Sequence, residues 1–541
     1  MNRIALFSPF CLYPAPEPRV RPLALAIAMA AALPAQAIEE VTVTEKQTAD
    51  RYMERSTQSA GFAAVDLREV PQSVQVLTGD FIKDTGFLSV TELLNTVPGA
   101  SPSFGRSTPF STSVTQIRGQ EAVIYRDGLR DIDYSDIDTS ALINIEKIEV
   151  LKGPAGIVYG TGGPGGIVNI ITKKPEAERS ATLQATIGTR NTRIFAGDVN
   201  MPIIDGLAVR VTGEVERSDS FIAFSEISRN NLSATIGYEP TAWLRTSLAF
   251  ERMSNRDRDA MTRIGLPAAG TILPAAGIDV DRGTYLGEPS FDFRDSYGNM
   301  TTFRAELDLA EDVTFEASLR RINVTFEQAE TARNIGPLDL ATATVPRDGA
   351  RQLIVDVDNW LARGLIKAGF DTGLFGHQLT AGYEFFESDL LIDFDSPGAA
   401  TPQNVLTPTY DPTFGSSVFD IFLITQRDAY HEAFFQDVIS YGDFTLTGGM
   451  RYVDARFESN TDSLSTVTYQ VGGTWRTTDT LSLFAGYNTG FEANAGLATS
   501  RSRTGERFDP ETFAQIEAGV KTELLAGVSG TFSVFRIVRE N

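Results

Sequence analysis

The sequence predicts a mixed α/β domain followed by a long antiparallel transmembrane β-barrel. Three observations support this fold class: an export signal, apolar–polar alternation with a period of two after Ser180, and short turns that alternate with long polar stretches. Beyond the signal, no segment approaches the ~20 continuous apolar residues that a membrane-spanning helix needs. A helical membrane bundle is therefore excluded.

The composition removes several functional classes. The chain has 541 residues, and 70 Asp and Glu outnumber 47 Lys and Arg, which gives a formal charge of −23. This charge argues against a nucleic-acid partner, because phosphate binding needs concentrated basic residues. His377 and His431 are the only histidines, so we expect no protein-built metal site and no bound cofactor. Neither histidine neighbours a nucleophile motif, and we therefore expect no enzyme.

Residues 1–37 have the pattern of an export signal. A basic flank precedes an apolar run at residues 23–33, and Ala35-Gln36-Ala37 forms a small-x-small cleavage site. Cleavage at this site would remove Cys11, the only cysteine. A mature chain without cysteine suits an oxidising compartment and excludes thiol chemistry.

Residues 49–175 predict a compact mixed α/β domain. Ser89 and Glu92 form a capping box before an apolar helical face, and Pro98-Gly99 ends that helix. The glycine-rich run at residues 153–166 predicts turns with positive φ and close backbone approach rather than a packed helix. Because no Gly-Lys-Ser/Thr ends this run, nucleotide binding is disfavoured.

Residues 176–541 predict the barrel. Short turns between long polar stretches are typical of an outer-membrane barrel, with short ends in the periplasm and long loops outside. The long stretches are residues 254–298 and 388–424, and the turns are expected at Asp205-Gly206, Glu239-Pro240, Glu311-Asp312, Gly442-Asp443, Thr478-Asp479 and Ala526-Gly527. The pattern gives about 15 strands, whereas a plugged barrel of ~22 strands needs more residues. We therefore expect a sequence cut before its last strands.

Several motifs resemble those of the TonB-dependent outer-membrane receptors, specifically the ferric-siderophore receptors. The resemblance covers essentially the whole chain after the signal, and it implies that the mixed domain is a plug inside the barrel. The motifs that carry it are Val70-Pro71-Gln72-Ser73-Val74-Gln75-Val76-Leu77, Ile117-Arg118-Gly119, Tyr125-Arg126-Asp127-Gly128-Leu129, Ile148-Glu149-Val150-Leu151-Lys152-Gly153-Pro154, Pro164-Gly165-Gly166-Ile167-Val168-Asn169-Ile170-Ile171-Thr172-Lys173-Lys174-Pro175 and Gln515-Ile516-Glu517-Ala518-Gly519-Val520-Lys521.

The resemblance implies a handle for an energy-supplying partner and a ligand site. Within residues 38–48, the segment Glu40-Val41-Thr42-Val43-Thr44 is similar to the TonB box, which can add as a strand to a partner's sheet edge. In hydroxamate-type relatives a plug-apex Arg and Tyr face the ligand. The residues in the corresponding loops are Phe104, Arg106, Phe110 and Tyr134. For Arg106 and Tyr134, a solvated loop position explains the sequence equally well.

The resemblance also implies an ion pair that locks the plug to the barrel wall. Arg118 is the expected plug cation, and because a buried guanidinium needs a carboxylate, Glu458 and Glu517 are the candidate partners. Lys152 stands where the family more often has arginine. Lysine lacks arginine's bidentate fork, which weakens the expected lock at this position.

These features predict a monomeric receptor in the outer membrane of a Gram-negative cell. We expect it to bind a ferric siderophore and to import the chelate with energy transmitted by TonB, and cobalamin or a glycan is the alternative cargo. A passive porin or an adhesin would leave the plug motifs without a role. A hydroxamate chelate of the ferrichrome type is favoured because acidic loop residues would repel a triply anionic catecholate; these residues are Asp389, Asp393, Asp395, Asp411 and Asp420. A solvated surface face explains the same acidic residues.

Overall fold

The computed structural model describes most of the chain from residue 51 to residue 540. The residues outside this description are 1–50, 63, 104–113, 132–140, 259–276, 282, 332–333, 336–337, 411–421, 458–461, 493–509, 526–527 and 541. The described residues form two parts, a small mixed sheet with short helices and a long antiparallel sheet. We refer to these parts as the plug (residues 51–175) and the wall (residues 180–540).

The plug is built on a seven-stranded sheet. Its strands follow the order β3-β8-β9-β6-β5-β4, and β7 pairs with β6. Only β6 and β9 run parallel, so the plug sheet is mostly antiparallel. The plug strands are β1 (Ser56–Thr57), β2 (Val65–Asp66), β3 (Val74–Thr78), β4 (Ala100–Ser103), β5 (Val114–Ile117), β6 (Gln120–Arg126), β7 (Leu129–Arg130), β8 (Ile145–Lys152) and β9 (Gly166–Thr172).

The plug helices are short, and none in the described part of the chain is long and apolar enough to cross a membrane. They are α1 (Gly79–Thr85), α2 (Val90–Leu94) and α3 (Gly156–Tyr159). The Glu92 amide donates to Ser89 Oγ over 3.1 Å, as the capping box predicts, while the Glu92 carboxylate reaches the Leu88 amide over 2.8 Å. The single turn α3 lies inside the glycine-rich run, where no packed helix was predicted. Its Ile157, Val158 and Tyr159 side chains are buried, and this packing stabilises the turn.

The wall is one antiparallel meander. Fifteen strands follow each other in chain order, and the two-residue β17 pairs beside them with β18. No pairing between β10 and β25 is present among the described residues. The wall strands are β10 (Ser180–Ile187), β11 (Arg193–Ile204), β12 (Leu207–Asp219), β13 (Glu226–Thr241), β14 (Leu244–Asp257), β15 (Phe293–Ala310), β16 (Val313–Glu330), β17 (Asn334–Ile335), β18 (Thr344–Thr372), β19 (Phe375–Asn404), β20 (Phe422–Tyr441), β21 (Phe444–Phe457), β22 (Asp462–Thr478), β23 (Leu481–Glu492), β24 (Glu511–Leu525) and β25 (Val528–Glu540).

Short turns gather at one rim of the wall and long connections at the other, as the sequence predicts. The turn expected at Glu239-Pro240 lies instead at residues 242–243, because β13 continues through an irregular pairing between Tyr238 and Thr241. Pro240 is compatible with this irregularity because it has no amide to donate to a regular ladder. A further tight turn at residues 373–374, which the sequence analysis does not predict, joins the two longest strands. The predicted long stretch at residues 388–424 is shorter in the structure, because β19 continues to Asn404 and β20 begins at Phe422.

The two faces of the wall have opposite polarity. On β21, Leu446 and Met450 point outward and are exposed, whereas Thr447 and Arg451 point inward and are buried. Exposed aromatic side chains mark the short-turn rim, where the Phe444 and Trp475 rings stack 5.7 Å apart. An apolar exterior with aromatic borders and a polar interior suits a sheet that contacts hydrocarbon outside and protein or water inside.

Candidate functional site at the plug–wall interface

Several predicted site residues lie outside the described part of the chain. These residues are the segment Glu40, Val41, Thr42, Val43 and Thr44, the loop residues Phe104, Arg106, Phe110 and Tyr134, and the candidate lock residue Glu458. The described residues do place Arg118, Lys152 and Glu517. They also show how the plug meets the wall along an arc from β11 to β24.

Arg118 and Glu517 meet at the centre of a buried polar cluster. Arg118 lies between β5 and β6 with φ of 57°, and its Nη2 donates to Glu517 Oε1 over 2.6 Å. Its Nη1 donates to Gln515 Oε1 over 2.9 Å, and its guanidinium covers the Phe535 ring 3.8 Å from the centroid. Because Glu517 is fully buried and also accepts from Ser73, this carboxylate joins two separate plug segments to β24.

Lys152 does not join this ion pair. Its Nζ donates over 2.8 Å to the carbonyl of Pro98, another plug residue. Its own carbonyl accepts from Gln72 over 3.0 Å and from Arg118 over 3.3 Å. Burial and the nearby charge of Arg118 lower the pKa of Lys152. The prediction that Lys152 locks the plug to the wall is therefore wrong. Lys152 makes a contact within the plug instead, because the guanidinium of Arg118 already binds Glu517 and Gln515.

A second ionic cluster, which the sequence did not predict, holds α3. Arg451 on β21 donates from Nε to Ile157 O over 2.8 Å and from Nη2 to Val158 O over 2.7 Å, and it pairs with Glu432 on β20. Both charged side chains are fully buried. Arg130 of the plug lies 3.7 Å from Glu432, so one wall carboxylate lies between cations from the plug and from the wall.

Three further wall arginines hold the hairpin formed by β6 and β7. Arg320 donates to the carbonyls of residues 126, 129 and 130 at distances of 3.0–3.3 Å. Arg304 donates to the carbonyl of residue 127 over 2.5 Å, and Arg363 to that of residue 128 over 2.8 Å. Five consecutive backbone carbonyls thus receive hydrogen bonds from three guanidinium groups on β15, β16 and β18. A buried backbone carbonyl needs such a donor, and a charged donor forms a stronger bond.

An aromatic cluster lies above this hairpin, toward the rim with the long loops. The Arg130 guanidinium lies 4.8 Å from the Phe386 ring centroid and 5.6 Å from that of Tyr430. A cavity of about 210 Å³ next to Arg130 is also lined by Glu121 and Glu492. The sequence signal for this cluster was available, because Phe386 and Tyr430 occupy inward positions of strands whose other inward residues are mostly polar.

The geometry defines a class of protein, a β-barrel wall closed by an internal plug. Two family descriptions match the chain, "TonB dependent receptor-like, beta-barrel" over residues 223–541 and "TonB-dependent Receptor Plug Domain" over residues 66–167. The chain belongs to the TonB-dependent receptor family. Its relatives are receptors and transporters rather than enzymes, and the family consists of outer-membrane proteins.

Individual relatives agree with this assignment. The probable TonB-dependent receptor BfrD of Bordetella pertussis is 27% identical to this chain, and the match covers 97% of this chain and 76% of BfrD. The ferrioxamine B receptor of Salmonella typhimurium is 26% identical to this chain, and the match covers 87% of this chain and 68% of that receptor. The closed crystal form of the ferric-catecholate import receptor Fiu of Escherichia coli superposes with a TM-score of 0.79 at 22% identity, covering 91% of this chain and 76% of that one. The chain thus spans 68–76% of the length of these three relatives.

Proposed function

We propose that this protein binds a ferric siderophore at the surface of a Gram-negative cell and imports it into the periplasm with energy supplied through TonB. The observation that carries the proposal is a plug held inside the wall by buried charged contacts, including Arg118–Glu517 and Arg451–Glu432. A large ligand passes such a wall only when the plug moves, and breaking buried ion pairs requires work. The iron is cargo within a chelate and not a resident cofactor.

The proposal assigns partners to three surfaces. TonB binds the segment Glu40–Thr44 by strand addition, which needs only an extended chain with strand propensity. Outer-membrane lipid covers the apolar outward face of the wall, and the protein acts as a monomer. Cobalamin or a glycan is the alternative cargo, since the plug contacts alone do not name the ligand.

We favour a hydroxamate chelate, and the relative named for ferrioxamine B, which matches 87% of the chain, supports this choice. The charge argument from the outer loops is weaker than the sequence suggests. Asp389 forms an ion pair with Arg427, which offsets one of the five acidic charges, while Asp411 and Asp420 lie outside the described residues. Arg130 with Phe386 and Tyr430 is a further candidate ligand contact, since aromatic rings can shield a chelate and a guanidinium can bind iron-bound oxygens.

Uptake of radioactive iron tests this function. Cells that carry the chain and TonB should accumulate ⁵⁵Fe from ferrioxamine B, and cells without TonB or with residues 40–44 deleted should not. Competition with a ferric tris-catechol chelate and with cobalamin distinguishes the cargo classes. Import of cobalamin without import of either iron chelate would replace the siderophore proposal, and unchanged uptake after the deletion would refute the TonB box.

A further inference from the structure

The apolar outward face of the wall ends in arginine on the first strands. On β11 the outward side chains of residues 195–203 are apolar or glycine, and the next outward side chain toward the long-loop rim is Arg193. On β12 the outward side chains of residues 207–215 have the same character, and Arg217 follows them. Each of these runs covers nine residues. Because a tilted strand crosses the hydrocarbon in about nine to eleven residues, both arginines lie where the hydrocarbon ends.

The next two strands carry polar side chains at the same level. On β14 the outward side chains of residues 244–250 are mostly apolar, and the exposed Arg252 follows them. On β13, between β12 and β14, Asn230 points outward and its Oδ1 accepts from Arg217 Nη2 over 3.4 Å. We call these four residues the outer arginine patch, which consists of Arg193, Arg217, Asn230 and Arg252. Because neighbouring strands lie about 4.8 Å apart, the patch is about 14 Å wide.

The positive charges of the patch are not neutralised within the described part of the chain. Arg193 and Arg217 lie directly opposite each other in the pairing of β11 with β12, and like charges in this position destabilise a sheet. The Arg217 guanidinium donates to the carbonyls of residues 216 and 229, which hold it in place without neutralising it. The ion pairs described for arginines of β12, β13 and β14 belong to Arg210, Arg229 and Arg256. The patch therefore offers three guanidinium groups to an anion outside the chain.

Two outward carboxylates lie near the patch but farther from the apolar face. Asp219 follows Arg217 by two positions at the end of β12, and it accepts a hydrogen bond from Asn191. Glu226 lies opposite Asp219 at the beginning of β13. An anion at the end of the hydrocarbon thus meets the arginines, while both carboxylates lie beyond them on the side of the long loops.

Outward arginines at the same level on other strands are paired with carboxylates. Arg321 on β16 follows the apolar outward side chains of residues 313–319, and its Nη2 lies 2.8 Å from Asp358 Oδ2 on β18. Arg427 on β20 forms an ion pair with Asp389 on β19. The wall thus neutralises the end of its apolar face from β16 to β20 but leaves it positive from β11 to β14.

We propose that the outer arginine patch binds the phosphate groups of an anionic lipid headgroup in the outer leaflet. A lipid whose acyl chains cover the apolar run presents its headgroup at the level of the patch. Arginine binds phosphate through paired, charge-assisted hydrogen bonds, and Asn230 adds a neutral donor. The width of the patch suits a headgroup that carries more than one phosphate. This site rests on the proposed lipid contact of the outward face and is independent of the imported ligand.

Native mass spectrometry of the full chain in mild detergent measures this binding. Titration with diphosphoryl lipid A gives the dissociation constant of the first bound lipid, and phosphatidylcholine, which has no net charge, is the reference lipid. We expect the double variant Arg193→Gln/Arg217→Gln to bind diphosphoryl lipid A about 30-fold more weakly than the parent, about fivefold for each arginine. Arg193→Lys/Arg217→Lys should lose less, because lysine keeps the charge but lacks the guanidinium fork. Binding of phosphatidylcholine should be the same in all of these chains.

The matched control is Arg321→Gln/Arg427→Gln. It removes the same charge at the same level, but from arginines that already have carboxylate partners, and it should change the dissociation constant by about twofold or less. An equal loss of binding in this control would show that the overall charge holds the lipid, and it would overturn the site. Unchanged binding in Arg193→Gln/Arg217→Gln would overturn it as well. Displacement of the lipid by inorganic phosphate at the same concentration would overturn the assignment to a lipid headgroup.

Insertion into phosphatidylcholine vesicles separates this site from the lipid contact on which it rests. Protection of the wall strands from added protease should be the same in the parent and in Arg193→Gln/Arg217→Gln, because the variant keeps the apolar outward face. Failure of the parent to insert would reject the proposed lipid contact, and the site with it. Insertion of both chains together with equal binding of diphosphoryl lipid A would reject the patch alone and leave the proposed function standing.

Discussion

The contact between Arg118 and Glu517 can be measured with a double-mutant cycle. The variants are Arg118→Ala, Glu517→Ala and both together, each in a chain that carries a thiol reporter at a buried position of plug strand β6, Ala122→Cys. Pulse labelling of this thiol at increasing urea concentration follows unfolding of the plug, and the midpoint and slope give its free energy of unfolding. The cycle isolates the pair from the other contacts of each residue.

The structure sets the expected size of each effect. Arg118→Ala removes the 2.6 Å ion pair, the bonds to Gln515 and to the Lys152 carbonyl, and the contact with Phe535. The Glu517 carboxylate stays buried, but Ser73 and Gln515 still donate hydrogen bonds to it, which reduces the loss of stability. We therefore expect a cost of about 3 kcal/mol, at the lower end of the 3–5 kcal/mol typical for breaking a buried pair.

Glu517→Ala should cost about 2–3 kcal/mol, because Arg118 keeps three other contacts. The double variant should cost about 2 kcal/mol less than the sum of the single variants. The Ser73→Ala variant is the control, since it removes a neutral donor to the same carboxylate and should cost about 1 kcal/mol. Additivity of the two single variants within about 0.5 kcal/mol would show that Arg118 and Glu517 do not form an energetic lock.

Three other variants probe the plug and the wall. Gly160→Ala should destabilise the plug by about 2 kcal/mol or more, because Gly160 has φ of 71° and a Cβ there would lie 2.2 Å from a wall carboxylate oxygen. Gly162→Ala is the control in the same urea assay and should be tolerated, because the atom nearest to its Cβ would lie 3.8 Å away. Met450→Arg places a charge on the outward apolar face and should cost about 2–4 kcal/mol when folding into lipid vesicles is measured, whereas Asp454→Arg nearer the long-loop rim should cost about 1 kcal/mol or less. The pKa of Lys152 is lowered in the folded plug, so the unfolded chain binds more protons and the stability of the plug rises with pH up to the ordinary lysine pKa. Urea midpoints measured from neutral to alkaline pH should show this rise in the parent chain. The rise should be smaller in Lys152→Met.

Much of the wall follows from the sequence because one physical constraint acts on every strand. Side chains alternate between hydrocarbon and the interior, so the period of two appears along the whole chain after residue 180. The ends of the strands are less visible. The 29- and 30-residue strands β18 and β19 extend beyond what a membrane requires, and their polar upper halves resemble loops in composition. The turn at residues 373–374 was missed because its neighbours also carry glycine and polar residues.

The interface was predictable only in part. The sequence supplied Arg118 and two candidate carboxylates, but the choice between them depends on the register that brings residue 517 beside residue 118, almost 400 positions away. The wall arginines at 304, 320, 363 and 451 gave no plug side chain to search for, because their plug contacts described here are to backbone carbonyls. Every residue has a backbone carbonyl, so the sequence does not show which carbonyls accept these hydrogen bonds. The usable signal was on the wall side alone, as arginines at inward positions of amphipathic strands.

These two kinds of contact give the interface different mechanical properties. A buried ion pair adds little net stability but costs several kcal/mol when one partner moves away, so Arg118–Glu517 resists small displacements. The arginines on the 126–130 carbonyls hold five neighbouring groups at once, and a displacement there must break several charged hydrogen bonds together. Residues 56–78 are held by contacts of several kinds, since β3 pairs with β8, Glu149 accepts hydrogen bonds from residues 57–59, and Arg476 and Lys521 of the wall bind Glu69 and two backbone carbonyls. The plug is therefore fixed to the wall at residues 56–78 and again at residues 126–130, and movement of either region requires buried charged contacts to break.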